Sequence, residues 1–396
     1  MHWLYFIRQR SSFHLLGLGV LLVMLGSGQR ARAQVATRPD SVRVAALPTP
    51  FIFGAYAQGA FIARHTGPIA HLVASHPTSV ELNVQRQTTG AAPWHAWYKY
   101  PKVGLALIYY DYRNPVLGES YAASVYLSKP ISRTARHDFS FRLGTGLAYF
   151  TNPYDLYTNR KNNFISSALN ATLQFRFEYD LALTEHLGLL AALGLNHYSN
   201  GGTTKPNFGI NLPTFSLGLN YYQHRQLALP PGLPPAPSSV GHNFLDVSAS
   251  VGSKQRTGGD PTHYWTYSAT VAAGRHLNRK SNLLVGVEGF YDRSLLAVLQ
   301  DTARNQADLP DVKKVSAFVG HELLFGRLAF VAHLGVYVYE PYKSSTVYYE
   351  RVGLKYQFTD WFFGDIDLRV HRSAADVIEC KLGLRLDQKA ARQPRQ

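Results

Sequence analysis

A histidine and a serine stand two residues apart in the stretch NHYSNGG, residues 196–202, at the end of an apolar run. In a β-strand, His197 and Ser199 would share one face, roughly 7 Å apart along the strand, which allows a hydrogen bond between their side chains. A serine hydroxyl is a weak nucleophile until such a base takes its proton. Gly201 and Gly202 would let the backbone approach a reacting carbonyl closely, and Asn207 adds an amide donor. The spacing is therefore compatible with an esterase site.

The N-terminus has the pattern of a cleaved export signal. Arginines at positions 8 and 10 precede an apolar stretch over residues 15–25, and small residues stand just before Gln34. We expect a signal peptide over residues 1–33, followed by a lead-in segment over 34–51. Beyond it, no apolar run approaches the roughly 20 residues of a membrane-spanning helix. The single cysteine, Cys380, means that an exported chain must be stable without disulfides.

The rest of the chain has the residue alternation of β-strands. In residues 283–291 an apolar face alternates with a mixed face, and the same period of two recurs along most of the sequence. A soluble β-sandwich would show this alternation as well. Two further features favour an antiparallel transmembrane β-barrel: the 25 Tyr and 21 Phe residues cluster at strand ends, and the connections alternate between short and long.

The sequence predicts an all-β fold of about 16 strands, within a range of 12–16. The strands are expected near residues 52–64, 78–87, 102–113, 119–132, 137–150, 165–183, 187–199, 212–222, 243–254, 263–275, 282–292, 312–325, 327–340, 345–358, 361–371 and 376–386. We interpret residues 52–222 and 243–386 as one barrel, with two smaller barrels as the alternative. Residues 223–242 are rich in proline, which cannot join a sheet ladder, and form a linker or a long periplasmic turn. Residues 387–396 are a polar tail.

The alternation also predicts which way the candidate residues point. In the seventh strand the more apolar set shares its face with His197 and Ser199, so both side chains should face lipid at the outer-leaflet end of the strand. Parity in the eighth strand puts Asn211 on the same side. The carboxylates that parity directs into the interior, where ion pairing or solvation is expected, are Glu178, Asp180, Asp246, Glu288 and Glu379. Cys380 has lipid parity. The chain lacks H-E-x-x-H and C-x-x-C spacings, so no metal and no cofactor are expected.

The stretch GLNHYSNGGTTKPNFGINLPTFSLGLNYY, residues 194–222, resembles the signature of the lipid A 3-O-deacylase (PagL) family, also called acyloxyacyl hydrolases. The core H-x-S-N-G, followed by P-N-x-G, carries the resemblance and does not fit the G-x-S-x-G turn of soluble esterases. Longer members of the family are similar also in YPKVGLALIYYDYRNPVLGESYA, FRLGTGLAYFTNPYD, VYYERVGLKYQFTDWFF and ADVIECKLGLRL. The resemblance covers most of the mature chain.

This resemblance implies an outer-membrane carboxylic ester hydrolase that releases the ester-linked hydroxyacyl chain at the 3-position of lipid A. It implies Ser199 as the nucleophile, His197 as its general base, and Asn207 with a backbone amide near Gly202 as oxyanion donors. The acid that orients the histidine falls at Asn211, where smaller members have Glu. An Asn carbonyl can still accept the imidazole N–H, but it supplies no negative charge.

The implied partners are lipid A, as part of lipopolysaccharide, and the lipids of the outer membrane. A net charge of +15 fits contact with lipid A phosphates, and the loop cations expected to make it are Lys205, Arg160 and Lys161. Nucleic acid is excluded as a partner of an exported barrel, while formation of a homodimer is left open by the sequence.

The competing interpretation is a non-catalytic barrel. Sixteen strands would enclose a pore unless the barrel is plugged. A family member whose site has lost activity is the other form of this interpretation, and Asn211 in place of an acid is the observation that favours it.

Overall fold

The structure is a computed structural model that describes residues 51–223, 241–302, 309–344, 346–372 and 374–387. Its first eight strands form a closed antiparallel barrel, the first barrel. These strands are β1 (Phe51–Ala60), β2 (Thr78–Gln87), β3 (Lys102–Asp111), β4 (Glu119–Arg133), β5 (His137–Phe150), β6 (Leu169–Ala182), β7 (Leu187–Ser199) and β8 (Ile210–Tyr222). Each strand pairs with the next, and β8 pairs with β1, Ile52 lying opposite Tyr222.

The next eight strands close a second barrel in the same way. They are β9 (Asn243–Gln255), β10 (His263–Asn278), β11 (Ser281–Asp292), β12 (Lys314–Phe325), β13 (Leu328–Tyr339), β14 (Tyr348–Gln357), β15 (Phe362–His371) and β16 (Ala374–Asp387). The barrel closes where β16 pairs with β9, Cys380 lying opposite Val251. The helical segments of the described chain are a 3₁₀ helix (Gly67–Leu72), α1 (Pro93–Trp97) and α2 (Arg293–Thr302).

The interpretation as one barrel of 16 strands is therefore wrong, and the alternative of two smaller barrels is correct. The strand count, the antiparallel order and the approximate strand positions are confirmed. The error has a physical reason: alternation within a strand reports which face is apolar, but not which distant strand completes the ladder. The predicted signal peptide, nearly all of the lead-in and of the proline-rich segment, and nearly all of the polar tail lie outside the described residues.

Side chains fill the interior of each barrel. In the first barrel, Glu81 accepts hydrogen bonds from Arg142 and Arg176, each at 2.7 Å. In the second, Arg351 donates to Glu288 at 2.8 Å. All five side chains are buried. Eight strands enclose only enough space for such side chains, so the wide channel that the pore interpretation requires is not present in the described barrels.

The predicted parity of the other ionisable residues is also confirmed. The interior carboxylates are buried: Glu178, Asp180, Asp246, Glu288 and Glu379. Asp246 illustrates the expected ion pairing, since it lies 2.6 Å from Lys355 and 2.8 Å from Arg385. Cys380 is exposed on the outer face, as lipid parity predicted.

The outer walls of both barrels are apolar. Large hydrophobic side chains that are at least half exposed lie on both barrels, among them Leu107, Phe177, Leu193, Val285 and Leu382. An apolar band of this kind is the surface that lipid covers on a membrane barrel. Among the residues that the structure describes, no helix has the length and hydropathy needed to cross a membrane.

The two barrels contact each other at both ends. At the end with the longer connections, the β7–β8 connection, residues 200–209, meets the second barrel, and the backbone N–H of Lys205 donates to Gln255 Oε1 at 2.7 Å. At the other end, Tyr98, just after α1, donates from its hydroxyl to the backbone carbonyl of Leu324 at 2.8 Å. The ring of Tyr98 also stacks on Phe325. The β7–β8 connection follows directly after Ser199, so the candidate site lies beside the second barrel.

Candidate active site

Strands β7 and β8 present the candidate residues on the outer wall of the first barrel. His197 lies directly opposite Asn211 in the antiparallel ladder, so a cross-strand contact between their side chains is built into the register. Asn196 and Tyr198 are buried in the interior, whereas His197 and Ser199 alternate with them on the half-buried outer face. The structure thus places all three predicted polar residues on the side that the sequence indicated.

Asn211 holds the imidazole of His197 in one tautomer. His197 Nδ1 lies 2.6 Å from Asn211 Oδ1. Because a carbonyl oxygen only accepts hydrogen bonds, the proton must be on Nδ1 of the imidazole. The other ring nitrogen, Nε2, then keeps its lone pair and can accept a proton from a serine hydroxyl. An amide therefore provides the orienting contact that the family pattern assigns to an acid.

A second histidine, His65 in the β1–β2 connection, holds the amide of Asn211. Asn211 Nδ2 donates to His65 Nδ1 at 3.2 Å, and His65 Nε2 donates to the backbone carbonyl of Phe208 at 3.0 Å. With this tautomer His65 makes no hydrogen bond to the carbonyl of Ala63, which lies 3.3 Å from Nδ1. His65 could not be found from the sequence, since it lies 146 residues from Asn211 in a connection without alternation.

Ser199 Oγ receives two hydrogen bonds from the β7–β8 connection. Asn207 Nδ2 donates to it at 2.8 Å, and the backbone N–H of Gly201 donates at 3.1 Å. The N–H of Gly202, the glycine to which the family resemblance pointed, donates instead to Asn200 Oδ1 at 3.0 Å. Gly201 is therefore the glycine whose amide reaches the serine.

His197 and Ser199 are not yet hydrogen-bonded to each other in the described structure. Both lie on the outer face of β7 with one residue between them. In enzymes without bound substrate, catalytic hydrogen bonds are often long and shorten only when the reactants bind. The missing hydrogen bond is therefore compatible with His197 as the base of Ser199.

The three predicted loop cations differ in their burial and in the connection to which they belong. Lys205 is half-buried in the β7–β8 connection, and burial lowers the pKa of its ammonium group. Arg160 and Lys161 are exposed in the β5–β6 connection, and in the described structure no ion pair joins either side chain to a site residue. Within the described ranges, no group of three or more His, Cys, Asp or Glu side chains is arranged to hold a metal ion.

Two closed barrels with apolar outer walls define an outer-membrane β-barrel protein, and the Ser199, His197 and Asn211 arrangement sits on the wall of the first. Comparison with protein families gives the finer assignment. Residues 78–220 match the family described as lipid A 3-O-deacylase (PagL), and residues 243–389 match the family described as acyloxyacyl hydrolase, C-terminal domain. The chain belongs to the lipid A 3-O-deacylase and acyloxyacyl hydrolase family of hydrolases.

Three solved structures match this chain at low similarity. Neisserial surface protein A is 14% identical over 43% of this chain and 95% of its own, with a TM-score of 0.29. A substituted porin from Rh. blastica is 9% identical over 85% of this chain and 100% of its own, with a TM-score of 0.16. The outer membrane protein Omp33 of Acinetobacter baumannii is 9% identical over 86% of this chain and 99% of its own, with a TM-score of 0.17. Scores this low establish neither a common architecture nor a function. No curated protein sequence matches significantly.

Proposed function

We propose that this protein hydrolyses the ester bond of the hydroxyacyl chain at the 3-position of lipid A and releases a free fatty acid. The observation that carries the proposal is the pair of contacts on the outer wall: His197 held by Asn211 at 2.6 Å, and Ser199 held by Asn207 at 2.8 Å. Together they supply the base, the nucleophile and an amide donor that acyl transfer requires.

In the proposed mechanism Ser199 Oγ attacks the ester carbonyl while His197 Nε2 takes its proton. Asn207 Nδ2 and the Gly201 N–H, which contact Ser199 Oγ in the free protein, stabilise the negative charge that develops on the carbonyl oxygen. The imidazolium then protonates the sugar oxygen as it leaves, which gives an acyl-enzyme. Water, deprotonated by the same imidazole, releases the fatty acid and restores the serine. Asn211 keeps the imidazole in the required tautomer.

The position of the site suits a substrate that stays in the membrane. His197 and Ser199 lie at the end of a strand whose outer face is otherwise apolar, including Leu193, which is 64% exposed. Lipid A in the outer leaflet could therefore place its ester bond at Ser199 while its acyl chains stay in the hydrocarbon layer. Lys205, Arg160 and Lys161 are the proposed contacts of its phosphates.

Mass spectrometry of lipid A from cells with and without the protein tests this function. Expression should remove one hydroxyacyl chain, and Ser199→Ala or His197→Ala should abolish the removal. Ser281→Ala is a control at another serine beside a histidine, because Ser281 Oγ lies 2.9 Å from His321 Nε2 at the opposite end of the second barrel. This control should retain full activity.

The outcome that contradicts the proposal is equally clear. If folded wild-type protein in the outer membrane leaves the lipid A spectrum unchanged, the protein is a family member without deacylase activity. Heat-modifiable migration on a gel verifies that each variant forms a closed barrel.

A further inference from the structure

The β7–β8 connection lies in close contact with the second barrel at two glycines, Gly201 and Gly202. Gly201 and Gly202 have φ angles of +65° and +89°, a backbone conformation that side chains disfavour. A Cβ on Gly201 would collide with the side chain of Ile378, and a Cβ on Gly202 would lie 2.5 Å from the backbone carbonyl of Asp376. Both contacts are with β16. The glycines thus permit an approach between the barrels that any larger residue would prevent.

The same connection also contacts the second barrel in its middle. The backbone N–H of Lys205 donates to Gln255 Oε1, at the end of β9, at 2.7 Å. Gln255 is 7% exposed, and its Nε2 donates to the carbonyl of Asp260 at 2.5 Å. The neighbouring Pro206 lies against Gly258, where an added Cβ would be 3.0 Å from the proline ring. The buried side chain of Gln255 makes two hydrogen bonds and therefore holds the backbone of the connection at residue 205.

These contacts lie close in sequence to both donors of the serine. Gly201, whose N–H reaches Ser199 Oγ, is pressed against β16, and Asn207, whose Nδ2 reaches the same oxygen, lies two residues beyond Lys205. Oxyanion stabilisation depends on donors held in place before the reaction, because a donor that must be ordered during the reaction contributes less. The first barrel holds the connection at other points, since Ser166 Oγ donates to the carbonyl of Thr204 and the Phe208 N–H donates to the carbonyl of Asn163. The contacts with the second barrel add fixed points at Gly201, Gly202 and Lys205, close in sequence to both donors.

We propose that the second barrel is part of the active site, and that Gln255 is a positioning residue for the oxyanion donors. This inference rests on the proposed deacylase function and adds a role for the second barrel. Gln255 touches neither Ser199 nor His197, so it acts only through the backbone of the connection. Its removal should reduce turnover and leave affinity for the substrate nearly unchanged, because donors aimed at a developing charge act mainly in the transition state.

The first experiment measures kcat and KM of the full-length protein on detergent-dispersed lipopolysaccharide. Gln255→Ala removes the acceptor and should lower kcat about 5- to 10-fold, as expected for one lost hydrogen bond. Gln255→Glu keeps an acceptor for the Lys205 N–H but loses the donor to Asp260, so it should retain kcat. Gln357→Ala, the same substitution at the opposite end of the second barrel, should also retain kcat.

Two kinetic results would overturn the inference. One is an unchanged kcat in folded Gln255→Ala. The other is an equal loss of kcat in Gln255→Glu. That result would trace the effect to the hydrogen bond between Gln255 and the carbonyl of Asp260, and not to the contact with the Lys205 N–H.

Hydrogen exchange separates this inference from the proposed function. The amides of residues 200–207 should exchange faster in Gln255→Ala than in the wild type, whether or not the protein is an esterase. Unchanged exchange would refute the positioning role of Gln255. Faster exchange in Gln255→Ala, together with a wild-type protein that releases no more fatty acid than Ser199→Ala, would support the contact and refute only the deacylase function.

Discussion

Replacing His65 by Ala tests how a neutral amide can replace an acid in orienting the base. The side chain of Asn211 has nearly the same shape with its oxygen and nitrogen exchanged, but only the orientation with Oδ1 toward His197 Nδ1 leaves Nε2 free to accept a proton. The acceptor nitrogen of His65, 3.2 Å from Asn211 Nδ2, favours that orientation. Without His65, a fraction of the molecules should hold His197 in the unproductive tautomer.

The size of the effect follows from the value of one hydrogen bond. A net contribution of about 0.5–1.5 kcal/mol corresponds to a kcat lower by about 2- to 12-fold in His65→Ala. Asn211→Ala should cost more, roughly 10- to 1,000-fold, because the imidazole then has no orienting partner, yet less than the up to ~10⁶-fold loss on removing a nucleophile. Asn211→Glu should retain or raise activity, since a carboxylate also stabilises the imidazolium.

The decisive assay is fatty acid release from detergent-dispersed lipopolysaccharide in a double-mutant cycle. A carboxylate presents an oxygen in either orientation, so His65→Ala should have almost no effect in the Asn211→Glu background. An equal loss in both backgrounds would show that His65 does not act through the amide. Full activity of folded Asn211→Ala would show that another group orients His197, and the assignment of Asn211 would have to be withdrawn.

Three further predictions concern topology and stability. Protease added to intact cells should cut residues 151–163 and 293–311 but not 227–242; cleavage within 227–242 would invert the topology. Glu81→Ala removes the nearer of the two carboxylates that Arg142 and Arg176 share and leaves them only Glu178, at 3.4 and 3.9 Å. It should destabilise the first barrel by about 3–5 kcal/mol, so an unchanged urea midpoint on gels would contradict the described ion pairs. Burial lowers the pKa of His95 from 6.5 to about 4. Between pH 6.5 and about pH 4 the unfolded segment therefore binds more protons than the folded one, which favours unfolding as the pH falls. The amides of α1 should accordingly lose protection from hydrogen exchange over this pH range. His95→Gln should remove this pH dependence; equal loss in both proteins would exclude His95 as its source.

The outward direction of the site residues could be predicted from the sequence because a strand has a strict period of two. Once Leu193 and its neighbours are assigned to the lipid face, His197 and Ser199 must share it. Their partner Asn211 follows from the same rule applied to the adjacent strand, and the ladder indeed places it opposite His197. Local alternation was therefore enough for these three residues.

The contacts that complete the site could not be predicted in this way. His65 belongs to an irregular connection, and it reaches Asn211 only because β1 closes the ladder with β8. Gln255 lies at the end of a strand in the other barrel, and its contact with Lys205 depends on how two closed surfaces pack. Neither closure nor packing leaves a periodic signal in a single sequence, which is also why the alternation favoured one barrel and left two barrels only as the alternative.

Each barrel has its own seam, β1 with β8 and β9 with β16, so the chain must complete two separate closures during assembly. A chain whose first barrel alone is closed already holds His197 beside Asn211, since both belong to that barrel. It lacks the second-barrel contact on the connection that carries Asn207, because Gln255 stands at the end of β9 and reaches Lys205 from there. Under the proposed function, full turnover would therefore require both closures, because only the second one brings Gln255 to the connection that carries the oxyanion donors.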